Sequence, residues 1–536
     1  MTPHSRCRPS QALVLLAAWS LAIRAAAGPW AFGPQRTAVF LVDYQPATPE
    51  VHARFLRRDF FESPNSFAAY VREVSYGQAD LAGDVYGWYG FPPDQLSYGI
   101  WPDKMQVMNA ARAEVPDFTM FDKMIYVMAD VAAPSLGASS FGPIQVNTPD
   151  GPIQATESTI WRNFFQDPHD GMSFTPNPTV AHELMHTFGV EGHANVLDCG
   201  DRFIGMEPAA QVFVSYADPF DIMGGHWWGG HPNAAFKRRI GWLSEDQEII
   251  ATDSGLHTIF PLETAGPEPR LITLPLPKPI PLINGTTIQE YYVETRLPIG
   301  FDEGLSQLAG FDFAPLQAVN PAGVLIRGGQ LDEDGLVSHT YLLDATPNSR
   351  PGVYGYNSDF IDAFLAPGGS VTDPYNGIRI TAGIPQPDGG IPVEIKRLPD
   401  LEITQAVITI VPNSSFNRAR LTVRNRLPWN PVRLPAGARY VYVATEPMIW
   451  DAAAGEYRRP RVKPTWNSIA AITGAALTSL LNNGEATWTI SVPKSVNGSF
   501  NAHIFMIDPQ GSDFYADGGP IEETDEGNNR LTVRIQ

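Results

Sequence analysis

The hydrophobic and polar positions fall into two textures along the chain. Up to about Gln247, short apolar runs alternate with segments of helical period. Residues 37–43 (TAVFLVD) and 124–128 (MIYVM) are continuous, apolar and of strand length, which predicts buried strands. Residues 63–74 and 103–114 carry apolar positions at helical spacing. Strands alternating with helices predict an α/β layer. Another helix is predicted from Pro178, because Asn177 is a good N-cap, Pro178 suits the first helical position and Gly189 is a natural terminator. Beyond about Gln247 the helical period fades. Runs at 291–294, 323–326, 341–343 and 378–380 alternate with Pro/Gly turns and predict a β-sandwich-type domain. A second boundary falls near residues 397–400, and alternating runs at 419–423, 440–443 and 531–535 predict another all-β module. The expected architecture is multidomain α+β. A mixed sheet with helices spans residues 28–247, and two β-sandwich-like domains follow, 248–396 and 397–536.

Composition agrees with several domains. A single core rarely serves 536 residues. Charged residues are only 18%, against 47 Gly and 49 Pro, which suits a β-rich, turn-rich chain. The formal net charge of -20 and the lack of any Lys/Arg run exclude the basic face of a nucleic-acid binder.

The first residues read as a secretory signal. Arg6 and Arg8 precede an apolar run from Ala12 to Ile23, and Ala25, Ala26 and Ala27 supply a small-residue cleavage site. The mature chain is expected to start at Gly28, outside the cell. The apolar run is shorter than the about 20 residues a membrane helix needs, and no later segment is a candidate for a transmembrane span. With Cys7 in the signal, the mature chain keeps only Cys199, so no internal disulfide is expected. A strand starting by about Thr37 leaves no room for a folded prodomain after Gly28.

The chemistry concentrates at His182-Glu183-Leu184-Met185-His186. On a helix, residues four apart share a face, so His182 and His186 can bind one zinc ion. Glu183, between them, can reach a metal-bound water and take its proton. His193 follows just beyond Gly189 and is the expected third ligand. Asp198 is the alternative.

The pattern His182-Glu183-x-x-His186-x-x-Gly189 followed by a later His resembles the metzincin zinc peptidases. Residues 193–200 (HANVLDCG) and 218–224 (DPFDIMG) narrow the resemblance to gametolysin-like peptidases and, less closely, to the immune-inhibitor-A-like group. It covers roughly residues 35–245. It implies that Met223 is the Met-turn methionine, that residues 233–243 form the helix after it, and that protein or peptide substrates are cleaved. One departure from the family is visible: Gly192 stands where the third His is usual, one residue before His193. No Tyr lies two residues past Met223, so the group steadying the oxyanion is left open. His226 and His231 are read as supporting or surface residues, and Cys199 as a small core residue.

Residues 522–533 (EETDEGNNRLTV) resemble the closing hairpin of immunoglobulin-like modules of bacterial adhesion proteins, which implies surface or matrix binding by the C-terminal β modules. Asp332-Glu333-Asp334-Gly335 offers oxygen ligands for Ca²⁺ without the spacing of a Ca²⁺ loop. Two functional classes follow: a secreted zinc endopeptidase, or a surface adhesion protein with an inactive metzincin-like domain. Inactive relatives usually lose the Glu or a ligand. Here Glu183, His182 and His186 are all present.

Overall fold

The computed structural model describes residues 28–43, 53–92, 102–129, 137–161, 177–225, 230–308, 317–318, 322–349, 356–434, 438, 441–458, 468–495, 501–507, 521, 523 and 529–534. The signal segment therefore lies outside the described residues, as do His226 and most of residues 522–528. The protein is mixed α+β with several sheets. It divides into two compact units. One comprises the residues up to Ala251 with 258–369 and 382–392; the other comprises 252–257, 370–381 and the residues from Val393 on. Among the described residues no helix is long and apolar enough to cross a membrane.

The first unit is organised by two sheets. In the first, β1 (Gly33–Asp43) lies between β2 (Ala79–Gly90) and β3 (Lys123–Ala129), parallel to both, and β3 is parallel to β6 (Gly151–Trp161). The edge strand β4 (Gly137–Ser139) runs antiparallel to β6, and the hairpin strand β5 (Ile144–Thr148) also pairs with β6. Residues 38–42 are apolar without interruption because both faces of β1 are covered. Successive side chains point to opposite faces. Val39 and Leu41 join a core with helices Phe67–Val74 and Pro178–Thr187, whereas Ala38, Phe40 and Val42 join a core with helix Lys104–Ala110. The expected strands and helices thus form, with shorter helices than the periodicity suggests. Ser66 caps the first helix through Ala69 N, which sets its start after residue 63.

The second sheet has seven strands. It includes β7 (Ala194–Asp198), β8 (Val212–Val214) and β9 (Glu248–Ile250). Past β10 (Gly255–Ile259), it continues with β11 (Leu271–Pro281) and β12 (Thr287–Glu294). A two-residue pair, β13 (Gln307–Leu308) and β14 (Gln317–Ala318), stands apart. The sheet then takes in β15 (Leu325–Leu331) and β16 (Val337–Leu343), in the order β8-β7-β16-β15-β12-β11-β9. β7 pairs in parallel with β16, Val196 opposite Leu342. A cut at residue 247 would therefore divide one sheet. The change of texture there marks where α-helices become sparse, helix Gly474–Asn483 being the one that follows among the described residues, while the pairing of β7 with a strand nearly 150 residues away leaves no local mark in the sequence.

The second unit carries most of β10, β17 (Ser370–Asp373), β18 (Ile378–Ala382) and β19 (Ile391–Arg397), which form one sheet. It also carries a sandwich. The three-stranded sheet holds β20 (Leu401–Thr409), β21 (Phe416–Asn425) and β25 (Glu485–Pro493). The five-stranded sheet holds β22 (Val441–Asp451), β23 (Glu456–Arg458), β24 (Ser468–Ile472), β26 (Ala502–Ile507) and β27 (Arg530–Arg534). Leu401, Leu421 and Val423 from one sheet and Val441, Val443 and Phe505 from the other share a core.

Candidate metal centre

Helix Pro178–Thr187 forms as its sequence predicts. The Asn177 side chain accepts from Thr179 N and Val180 N, Pro178 starts the helix, and Gly189 (φ 107°) turns the chain away. Val180, Ala181, Leu184 and Met185 face the core, which leaves His182 and His186 on the other side. The turn brings His193 to them. One ligand nitrogen from each of His182, His186 and His193 lies within 4.8 Å of the others. The glycine ahead of His193 has a steric reason. A side chain at Gly192 would collide with the Ser338 carbonyl, its Cβ only 1.9 Å away, so only Gly lets the turn pass β16 so closely. Asp198 lies outside the group, its carboxylate accepting from Gly200 N at 2.7 Å.

Backbone carbonyls set two of the rings. His182 Nδ1 meets the Ile222 carbonyl at 2.9 Å, and His186 Nδ1 meets the Val190 carbonyl at 2.6 Å. A carbonyl can only accept, so Nδ1 carries the proton and Nε2 presents its lone pair. Burial pushes the His186 pKa down to about 4. Burial, helped by His186 and His339, pushes that of His193 down to about 3. Both imidazoles are therefore neutral at pH 7. Three imidazole nitrogens gathered this closely suit zinc, which takes three protein ligands at catalytic sites.

Glu183 is 6% exposed. Its Oε2 accepts from Ser139 Oγ at 2.6 Å, and Ser139 Oγ is 2.8 Å from Ser158 Oγ. The Ser139 proton goes to the carboxylate, so the Ser158 hydroxyl donates to Ser139. Burial raises the Glu183 carboxyl to about 7, against the opposing effect of that hydrogen bond. Gly137 makes room for it: a Cβ there would stand 2.5 Å from Glu183 Oε1.

Met223 is fully buried in the same core as Met185 and Ala181. Its carbonyl accepts from Ala194 N at 2.9 Å, and Asp221 Oδ1 accepts from Met223 N at 2.8 Å. Helix Ala234–Arg239 follows, capped by Asn233. His231 is also fully buried, between Glu73 Oε1 at 3.0 Å and Lys237 Nζ at 2.9 Å, and lines no cleft. Cys199 is half-buried, and burial lifts its thiol to about 11. Asp332 accepts from Arg239 and from the amides of Asp334 and Leu336.

Sequence reading misses several residues at this site. Ser139 bonds Glu183. Phe141, 57% exposed, sets its ring edge-on to His186 at 5.1 Å. The Tyr216 ring lies 3.9 Å from the His193 ring. None has a local signal, since each reaches the site from a loop or edge strand distant in sequence. Compared with known proteins, the chain matches no family model and no curated protein.

Proposed function

We propose that this protein is a secreted zinc-dependent endopeptidase of the metzincin kind, similar to the gametolysin-like enzymes. The convergence of His182, His186 and His193 with Glu183 beside them carries the reading. A zinc ion bound by these imidazoles supplies Lewis acidity, polarising a peptide carbonyl and acidifying water. Glu183 takes the proton of the attacking water and later passes it to the leaving amine. In the metal-free protein, burial raises this carboxyl above the usual carboxylate range, which favours its taking up a proton. Ser139 steers that carboxylate, and the Ile222 and Val190 carbonyls hold the two helix imidazoles in the metal-binding tautomer. The end strand β4 carries Ser139 and suits pairing with an extended peptide. The C-terminal sandwich is proposed as an immunoglobulin-like module for surface or matrix binding.

Metal analysis and casein digestion test the proposal. Purified protein should carry about one zinc per chain. Casein cleavage should stop on adding a zinc chelator and return with added zinc. Protein that takes up no zinc on reconstitution, or cleavage indifferent to the chelator, would contradict it.

A further inference from the structure

Tyr216 adopts a left-handed backbone conformation, φ 57°, which only Gly, Asn and Asp adopt readily. Four described residues other than glycine have positive φ, and two of them, Asn348 and Asn413, are of the tolerant kind. Tyr76 is held by hydrogen bonds of its hydroxyl with the Leu262 carbonyl and Lys237 Nζ. Tyr216 differs. Its side chain is 46% exposed, so core burial does not account for the strained backbone. Strain of this kind persists where the surroundings over-determine it, and it gathers at functional sites.

The surroundings of Tyr216 lead to the third histidine. Asn195, buried on β7, accepts from Tyr216 N at 3.2 Å. The same amide donates to the carbonyls of His193 and Thr340, each at 3.2 Å. One side chain thus ties the Tyr216 backbone to the His193 backbone and both to β16. The Tyr216 ring lies over the His193 ring at 3.9 Å with an interplanar angle of 37°, and 5.9 Å from His182 at 25°. His182 and His186 each have a carbonyl on Nδ1. For His193 the tyrosine ring is the close neighbour.

We infer that Tyr216 is a positioning residue of the metal centre, held in its strained conformation so that its ring sets the plane of His193. It sets the orientation of the third imidazole, as the Ile222 and Val190 carbonyls set that of the other two. The inference rests on His193 being the third ligand.

The backbone strain makes the test sharp. Glycine accepts the left-handed conformation without cost, so Tyr216→Gly should melt, metal-free, at or above the parent temperature. Its zinc affinity, by competition with a chromophoric chelator, should nonetheless fall about 10-fold or more. Cobalt-loaded Tyr216→Gly should show a shifted visible absorption spectrum, and Tyr216→Phe should match the parent in both affinity and spectrum. Tyr216→Asn, also tolerant of the conformation, repeats the comparison if the glycine variant does not fold. Parent-like affinity and spectrum in the Gly or Asn variant would overturn the inference. So would a fall in affinity accompanied by an equal loss of metal-free stability in both. His193→Ala run alongside separates the two levels. Full zinc affinity in that variant would overturn the ligand assignment itself.

Discussion

Arg327 donates to the Asp218 carboxylate at 2.6 Å across 109 residues of sequence, with both side chains fully buried. Asp218 opens the loop that ends at Met223, and its carbonyl accepts from Gly225 N. Arg327 also pairs with Glu294 at 2.7 Å, and Arg296 donates to the Phe220 and His231 carbonyls. Strand β15 and the residues just past β12 therefore hold the loop whose Ile222 carbonyl orients His182.

Removing one member of such a pair leaves a buried charge uncompensated. Arg327→Met should destabilise the protein by about 3–5 kcal/mol, read by chemical denaturation. A loss under about 1 kcal/mol, the range of an exposed pair, would contradict the bracing role.

Gly137 is the second point of sensitivity. Gly137→Ala should leave the fold and zinc content intact, because β4 is an edge strand. It should displace the Glu183 carboxylate, whose Oε1 would lie 2.5 Å from the new Cβ. Turnover should drop about 100-fold, as for a misplacement of about 1 Å. Undiminished turnover on a defined peptide would mean that Glu183 acts from another position.

The metal-free protein should show a specific pH dependence. The folded pKa is lowered to about 4 for His186 and about 3 for His193, from an ordinary 6.5. Below that ordinary value the unfolded chain binds both protons first. Their stabilisation is complete above about 6.5 and is lost as pH falls through the folded values. Glu183 has the opposite sign. Its folded pKa is raised to about 7 from 4.5, so its contribution is present below about 4.5 and lost as pH rises through 7. Between about pH 4.5 and 6.5 the two histidines outweigh it. These three groups should raise stability by about 1.4 kcal/mol per pH unit. The metal-free His186→Asn/His193→Asn double variant should fall short of the parent slope by about 2.7 kcal/mol per unit. Equal slopes would mean that the two imidazoles titrate normally in the folded protein.

The helix bearing His182, Glu183 and His186 is legible in the sequence because its cap, first-turn proline, spacing and terminating glycine all lie between Asn177 and Gly189. His193 is legible because it follows at once, and the close approach of β16 accounts for a glycine at 192 beside it. The residues that orient these groups are not legible. Ser139, Asn195, Tyr216, Arg296 and Arg327 act through contacts between distant segments. A lone Tyr or Arg carries no periodicity that announces such a contact. For the same reason the seven-stranded sheet is invisible to a reading that places a boundary at residue 247. Each of its strands is recognisable alone, while the partner that β7 finds in β16 is set by tertiary packing.

The central claim is that Glu183 moves the proton in peptide hydrolysis and does not hold the metal. Glu183→Gln keeps nearly the same shape, and the Ser139 hydroxyl can still donate to its side-chain oxygen. The most direct measurement compares cleavage of one defined peptide by parent and Glu183→Gln protein at equal, verified zinc content. The variant should bind zinc as the parent does and turn over at least ~10²–10⁴-fold more slowly. Equal, chelator-sensitive rates in the two proteins would contradict the claim.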